Sequence, residues 1–227
     1  MSELRESNKI FLDGGDIVIP SENVEEKIEE LQEILMIYRS AIKEVSTKLD
    51  ILDYEFKTRR KRNPIEYMKS RVKTPKSIME KLKRRDLEVS TKSARENLND
   101  IAGIRVICSF VSDIYELANM LKSQDDITLL EEKDYIKNPK PNGYRSLHMV
   151  LEIPIYFSDH VESVKIEVQI RTIAMDFWAS LEHKLYYKKG EVIPIHIEED
   201  LKECADVISA TDIKMQNIQK EVEKLWR

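Results

Sequence analysis

The chain has 227 residues, of which 41% are hydrophobic, and this is enough to bury a substantial core in one domain. Charged residues make up 35% of the chain, yet the formal net charge is only −5, which excludes a globally basic surface and means that any basic site is local. No apolar run approaches the roughly 20 residues of a membrane span and the N-terminus lacks the apolar stretch of a signal peptide, so we expect a cytoplasmic protein without a membrane partner.

Helical patterns are predicted at both ends of the chain. Residues 1–22 contain the only Gly-Gly pair and no sustained period, which favours a flexible lead-in. Apolar residues then recur in steps of three and four over residues 24–56, which predicts one long amphipathic helix within an N-terminal extension at 23–62. The same spacing over residues 201–225 predicts a helix within the C-terminal segment 191–227. A narrow apolar stripe of this kind packs either within one chain or between subunits. The second alternative suits a symmetric oligomer.

Two short helices are predicted at the start of the central segment, residues 63–190. Asn63-Pro64-Ile65-Glu66 is similar to a capping box, and Thr74-Pro75 marks a second helix start. The basic run KSRVKTPKSIMEKLKRR, residues 69–85, spans both helices. It forms either a solvated helix face, a clamp for a triphosphate or, as a lesser option, a nucleic-acid contact. RNA binding is possible but not indicated, because Tyr67 is the one aromatic residue near these basic residues.

Strands and helices alternate in the rest of the central segment. Residues 104–110 read as a buried strand, after which Ser112 caps a helix that ends near Leu121. Thr172 caps a further helix that ends near Lys189. Strand patterns cover residues 127–136, 145–157 and 162–171, and a hairpin-like pair is expected among the strands. The fold class predicted from this order is α/β (α+β), with a mixed β-sheet flanked by helices.

Two carboxylates are candidates for chemistry. In VKIEVQIRT, residues 164–172, the alternation places Glu167, Gln169 and Arg171 on one polar face. A solvated face is the default for this pattern, but a carboxylate, an amide and a guanidinium in a row also suit a metal, a base edge and a phosphate. Asp100 closes a polar loop before the strand that begins near residue 104, where it is either a turn residue or a ligand. Together with Glu167 it would form an oxygen site suited to Mg²⁺.

A cluster of polar residues follows the Pro-Asn-Gly turn in PNGYRSLHMVLEIP, residues 141–154. Tyr144, Arg145, Ser146 and His148 stand almost side by side at the start of a strand. The sequence lacks a GxxxxGK[ST] or GxGxxG loop, an HExxH pair and a nucleophile elbow around Ser146. If nucleotides bind, side chains therefore have to hold the phosphates.

Three segments together resemble the synthetase domain of the RelA/SpoT family: NDIAGIRVICSF, KDYIKNPKPNGYRSLHMV and KIEVQIRTIAMDFWASLEHKLYYK. The resemblance covers roughly residues 60–190, and the short chain with helical ends is similar to the small alarmone synthetases. It implies a nucleotidyltransferase fold of the polymerase-β type. It also implies transfer of the β,γ-pyrophosphate of ATP to the ribose 3′-hydroxyl of GTP or GDP, which yields (p)ppGpp and AMP in the stringent response.

The resemblance further implies a role for each matching residue. Asp100 and Glu167 match the metal-linked acidic positions for Mg²⁺, and Glu167 is also placed to orient or deprotonate the 3′-hydroxyl. Arg71 and Arg105 match contacts to the adenine side of ATP. The phosphate contacts of ATP match Lys73, Ser77, Lys81 and Arg84. On the GTP or GDP side, Tyr144 matches a guanine-stacking ring, Lys140 and His148 lie near the phosphates, and Gln169 and Asp176 border the guanine, although some relatives carry Asn in place of Asp176.

The expected protein is a synthetase without hydrolase activity and without a ribosome tether, and the resemblance implies a homotetramer formed through the terminal helices. Two alternatives stay open. A different nucleotidyltransferase would use the same carboxylates but release free pyrophosphate. A catalytically inactive RNA-binding or regulatory module of the same fold would bind RNA and consume no ATP.

Overall fold

The computed structural model describes residues 9–12, 15–18, 24–60, 62–187 and 194–225. Six helices and seven strands are present in this part of the chain. The strands are β1 (Lys9–Leu12), β2 (Gly15–Val18), β3 (Ile65–Val72), β4 (Ala102–Cys108), β5 (Thr128–Asp134), β6 (Leu147–Tyr156) and β7 (Val161–Thr172). The helices are α1 (Val24–Arg60), α2 (Pro75–Arg84), α3 (Thr91–Asn97), α4 (Val111–Lys122), α5 (Ile173–Tyr187) and α6 (Ile195–Leu225).

Five strands form the central sheet, in the order β3-β4-β7-β6-β5. Strands β4 and β7 are parallel, and the other three neighbouring pairs are antiparallel. The mixed sheet flanked by helices is therefore confirmed, as is the hairpin formed by β6 and β7. Among the described residues, no helix is both long and apolar enough to cross a bilayer.

The alternation predicted for β7 separates a core face from a polar face. Val164, Ile166, Val168 and Ile170 are buried, whereas Glu167 and Gln169 are half-buried on the opposite face. Helix α1 lies against the core face and contributes Tyr38, Ala41, Val45 and Leu49 to the same apolar cluster as β7. The helix predicted at residues 24–56 is thus confirmed, and it is an integral layer of the domain.

The C-terminal helix α6 is continuous, as the spacing predicted, but only one of its faces contacts the domain. Ala205, Asp212 and Gln216 are buried on that face. Hydrogen bonds from α4, α5 and the end of β7 fasten it: Trp178 Nε1 donates to the Leu201 carbonyl at 2.8 Å, the Ser112 amide donates to Gln216 Oε1 at 2.8 Å, and the Thr172 hydroxyl donates to Asp212.

The helix predicted to start at Asn63-Pro64-Ile65-Glu66 is wrong, because this segment enters strand β3. Backbone pairing with β4 and burial of Ile65 against the core outweigh a local capping pattern that no helical apolar repeat follows. The Glu66 carboxylate accepts a hydrogen bond from the Ser109 hydroxyl on the neighbouring loop instead of capping a helix.

The remaining boundary predictions are mostly confirmed. The Thr74 hydroxyl caps α2 by accepting from the Ser77 amide, and the Thr172 hydroxyl accepts from the Met175 amide at the start of α5. Ser112 is not a cap, because α4 begins one residue earlier and Phe110 occupies the cap position. Within the predicted lead-in, 1–22, β1 and β2 pair as an antiparallel hairpin, and the rest of that prediction lies outside the described residues.

Replacement of Leu49 tests whether α1 is part of the core. Leu49 is 0% exposed, so Leu49→Ala should lower the free energy of unfolding by about 2–5 kcal/mol in urea titrations. Ile51→Ala on the same helix is the matched control, because Ile51 is 60% exposed and its loss should have little effect. Equal effects of the two substitutions would contradict this placement of α1.

Candidate active site

A cleft of about 220 Å³ opens on the polar face of the sheet, over β3, β4 and β7. The pairing of β3, β4 and β7 places the residues that line this cleft in two rows across the strands. Arg71 pairs with Gly103 and Gly103 with Glu167, while in the next row Lys69 pairs with Arg105 and Arg105 with Gln169. Paired residues on adjacent strands point to the same face, so both rows face one cavity. The charged and amide residues that line it are Lys69, Arg71, Lys73, Asp100, Arg105, Glu167 and Gln169.

Asp100 lies in the loop before β4, between two ammonium groups. Lys73 Nζ donates to its Oδ2 at 2.9 Å and Lys81 Nζ donates to the same atom at 2.5 Å. Burial raises the pKa of this carboxyl, but the hydrogen bonds from Lys81 and Lys73 outweigh that effect and hold the pKa below its ordinary value. The Oδ1 atom is buried and has no hydrogen-bond partner among the described residues.

Glu167 is the second carboxylate of the cleft. Gln169 Nε2 donates to its Oε2 at 2.9 Å, and His148 Nδ1 lies 3.3 Å from its Oε1. Burial raises the pKa of Glu167, but the hydrogen bonds from His148 and Gln169 outweigh this effect. The pKa of Glu167 therefore lies below its ordinary value. The charge of Asp100 acts in the opposite direction and raises this pKa, which means that the two carboxylates interact electrostatically across the cleft.

The donor set fits a hard divalent cation. Two ionised carboxylates line one cleft, and one of their oxygens is buried without a hydrogen-bond partner among the described residues. The free-energy cost of this unpaired oxygen would be removed by a bound cation. Within the described part of the chain, no group of three or more His, Cys, Asp or Glu side chains could enclose a metal alone. Such an open site matches Mg²⁺, which is held by one or two carboxylates, waters and substrate phosphates.

Two of the predicted phosphate contacts, Lys73 and Lys81, reach Asp100 at the cleft. Ser77, Lys81 and Arg84 are four and three residues apart on α2, so they share a face of that helix, and Lys81 reaches Asp100 from it. Arg71, which was predicted to lie on the first of the two short helices, lies instead on β3 and lines the cleft. The basic run is thus divided between a strand and a helix that meet at Asp100.

The predicted guanosine contacts lie together next to Glu167. Lys140 Nζ is 4.7 Å from the ring centroids of both Tyr135 and Tyr144. The Tyr144 hydroxyl lies 2.8 Å from His148 Nε2, so His148 bridges Tyr144 and Glu167. Tyr144 is half-buried beside the apolar cluster that contains Trp178. The structure therefore brings Lys140, Tyr144, His148 and Glu167 together, as the resemblance implied.

Asp176 and Arg171 connect the two groups of residues. Asp176 is 5% exposed, and its carboxylate accepts from Arg105 at 3.2 Å, from Arg171 at 3.1 Å and from the Tyr67 hydroxyl at 2.9 Å. Its predicted position at the guanine stays a prediction, since these protein groups already occupy its oxygens. Arg171 is 3% exposed and also donates to Gln169 Oε1 and to the Tyr144 hydroxyl.

Two residues of this site were missed by sequence reasoning, and the surroundings of a third were not foreseen. Tyr67 was noted only as an aromatic residue near the basic run, and Tyr135 was not singled out within KDYIKNPK. Arg171 was placed on the polar face as a possible phosphate contact, and its burial among protein groups was not predicted. The alternation along β7 indicated that the Arg171 side chain lies on the polar face of the sheet. Its burial depends on Asp176, Tyr144 and Ser146, which come from other elements.

Comparison with known proteins assigns the family. The family model described as "Region found in RelA / SpoT proteins" matches residues 70–192. The chain belongs to the RelA/SpoT family. All predicted site residues fall inside the matched range. The chain is also 48% identical to the GTP pyrophosphokinase YwaC of Bacillus subtilis, over 86% of this chain and 93% of that protein.

Solved structures of RelA/SpoT relatives have the same fold. The small alarmone synthetase 2 from Bacillus subtilis superposes with a TM-score of 0.77 at 47% identity, over 85% of this chain and 99% of that one. The small alarmone synthetase 1 from the same organism, bound to its product pppGpp, also gives a TM-score of 0.77, at 36% identity over 86% of this chain and 98% of that one.

The ion pairs of Asp100 predict a pH-dependent contribution to stability. Asp100→Asn should lower the free energy of unfolding by about 1.5–3 kcal/mol at pH 7 in a metal-free buffer, because two charge-assisted hydrogen bonds are weakened. The folded pKa is depressed, so this difference is fully present above the ordinary aspartate pKa of about 3.9 and declines as the pH falls through the folded value.

Urea titrations between pH 8 and pH 3 measure this difference, with Asp125→Asn as the control at an exposed aspartate. A difference that stays constant down to pH 3, or that grows on acidification, would contradict the assigned ion pairs.

Proposed function

We propose that this protein is a GTP pyrophosphokinase that transfers the β,γ-pyrophosphate of ATP to the 3′-hydroxyl of GTP or GDP and releases AMP. The observation that carries the proposal is the juxtaposition of two ionised carboxylates, a basic wall on β3 and α2, and an aromatic platform at Tyr144. YwaC, a GTP pyrophosphokinase by name, and the synthetase that binds pppGpp support the same substrates.

The reaction needs alignment and charge neutralisation more than covalent catalysis. The 3′-hydroxyl oxygen forms a bond to the β-phosphorus of ATP, and the bond between this phosphorus and the α,β-bridging oxygen breaks, so that AMP leaves. Glu167 is ionised at neutral pH, accepts the hydrogen bond of the attacking hydroxyl and takes up its proton as the new bond to phosphorus forms. His148 and Gln169 hold this carboxylate in place from either side.

The remaining side chains bind and orient the two nucleotides. Arg71 and Arg105 line the cleft and would contact the adenine side of ATP. The donors to its phosphates would be Lys73, Ser77, Lys81 and Arg84. Tyr144 offers its ring to guanine, and stacking of this kind contributes roughly 1–3 kcal/mol per base. Lys140 and His148 lie beside that ring, where the phosphates of the acceptor are expected.

Asp100 and Glu167 would hold a Mg²⁺ ion between them. When bound, this ion neutralises charge on the transferred phosphates and on the leaving AMP. Lys73 and Lys81 occupy only one oxygen of Asp100, which leaves Oδ1 for such an ion.

Glu167→Gln tests the proposed chemistry. The substitution retains shape but removes the negative charge that accepts the hydroxyl hydrogen bond, so the rate of AMP and (p)ppGpp formation should fall by about 10²-fold or more. The measurement is an incubation of purified protein with Mg²⁺, labelled ATP and GDP or GTP, with product separation. Thermal unfolding should show that the variant is folded.

Glu132→Gln is the matched control, since Glu132 lies on the edge strand β5 and pairs with Lys122. Its activity should equal that of the wild type. Normal turnover by folded Glu167→Gln would remove Glu167 from the reaction, and release of free pyrophosphate by the wild type would replace the proposed function with nucleotidyl transfer.

We further propose that the protein is a homotetramer, assembled through its terminal helices. Met215, Ile218, Val222 and Leu225 are exposed, and their spacing of three and four places them on one face of α6. This seam lies away from the face that carries buried Ala205, Asp212 and Gln216. A row of exposed apolar residues on a helix is typical of subunit contacts.

Disruption of the seam should dissociate the assembly. Ile218→Glu with Val222→Glu places charges on the seam, and light scattering after gel filtration should show a smaller species than the wild-type tetramer of 26.7 kDa chains. Ile213→Glu is the control, because Ile213 is exposed on α6 outside the seam. A monomeric wild type at micromolar concentration would count against the tetramer.

A further inference from the structure

The segment that carries Tyr144 and Lys140 is a loop with little regular structure. We call residues 138–146, between β5 and β6, the acceptor loop. Inside it, the Gly143 amide donates to the Lys140 carbonyl at 2.8 Å, and the Tyr144 amide donates to the Asn142 side chain at 3.2 Å. These bonds shape a turn, but they do not determine where the turn lies relative to the cleft.

Arg145 attaches this loop to α6. Its NH1 group donates to the Gly143 carbonyl at 3.0 Å and to the Ala205 carbonyl at 3.3 Å, while its NH2 group donates to Asp206 Oδ1 at 3.0 Å. The side chain of Arg145 is only 15% exposed, so little water competes for these bonds. One guanidinium thus joins the backbone of the loop to the backbone and a side chain of α6.

Gly143 and Ala205 bring the two backbones into close approach. Gly143 has φ +88°, and a β-carbon added to it would lie 2.6 Å from the Ala205 β-carbon. A larger residue at Gly143 would therefore be excluded both by its backbone angle and by α6. On the other flank of the loop, Asn142 donates to Glu182 of α5 at 3.0 Å. The acceptor loop is consequently held between two helices.

We infer that α6 is a positioning element for the acceptor nucleotide, with Asp206 and the Ala205 backbone acting through Arg145 to hold Tyr144 and Lys140 at the cleft. The inference rests on the proposed function, because it assigns GTP or GDP to this loop. Two adjacent residues of the acceptor loop have different partners. The Arg145 guanidinium binds α6, while the Tyr144 side chain contacts His148 and Lys140.

A charge reversal at Asp206 separates positioning from general stability. Asp206 is 58% exposed, so Asp206→Lys leaves the core intact but places an ammonium group against Arg145. The KM for GDP and GTP should rise on the order of tenfold, because a displaced loop misplaces the acceptor. The KM for ATP should stay within about twofold, and kcat at saturating acceptor should be nearly retained, since no group at the reacting atoms has changed.

Two further variants serve as controls. Glu199→Lys makes the same charge change on α6, two helical turns or about 10 Å away, and should leave both KM values unchanged. Asp206→Asn keeps a hydrogen-bond acceptor for Arg145 and should fall between the wild type and Asp206→Lys.

Amide hydrogen exchange gives a readout that does not depend on activity. In Asp206→Lys, the amides of Gly143 and Tyr144 should exchange faster than in the wild type, while exchange in β4 and β7 should be unchanged. An unchanged KM for the acceptor together with unchanged loop exchange would overturn the inference, as would an equal rise of the KM for ATP. If the wild type itself formed no AMP and no 3′-pyrophosphorylated product, the proposed function would fail instead, whatever the exchange data showed.

Discussion

The parallel pairing of β4 with β7 is the constraint on which the site depends. It sets Gly103 opposite Glu167, and Asp100 is located three residues before Gly103, in the loop that leads into β4. Two carboxylates that are 67 positions apart in the chain are thereby brought to one cleft, where each alters the environment of the other. The apolar side of the same two strands lies in the core against α1, so the stability of the domain and the geometry of the site share one pair of strands.

Charge compensation allows this arrangement to persist. Partly buried carboxylates would tend to take up protons, but Lys73 and Lys81 hold Asp100 ionised, and His148 and Gln169 do the same for Glu167. Asp176 likewise lies between two guanidinium groups. The site therefore has its charges in place before any nucleotide binds, which suits a reaction that depends on electrostatic preorganisation.

Helix α6 has different surroundings on its different faces. One face is fastened to α4 and α5 and contacts the acceptor loop through Ala205, whereas its seam at Met215 and Ile218 is exposed. The periodicity of the sequence predicted this helix, but periodicity alone did not distinguish packing within the chain from packing between chains. The buried positions Asp212 and Gln216 show why, because polar residues that form hydrogen bonds to the domain carry no apolar signal.

The sequence by itself determined the long terminal helices, the strands β4 to β7 and the residue types of the site, because apolar periods and motif spacing are local properties of the chain. Strand β3 was missed, since its pairing with β4 is a long-range interaction that overrode a local capping pattern. Only the tertiary structure decided that Arg171 is buried, that Arg145 binds α6, and that Asp176 joins Arg105 to Arg171. These contacts join residues from different elements, and the free energy of burying a charge depends on partners that the local sequence does not identify.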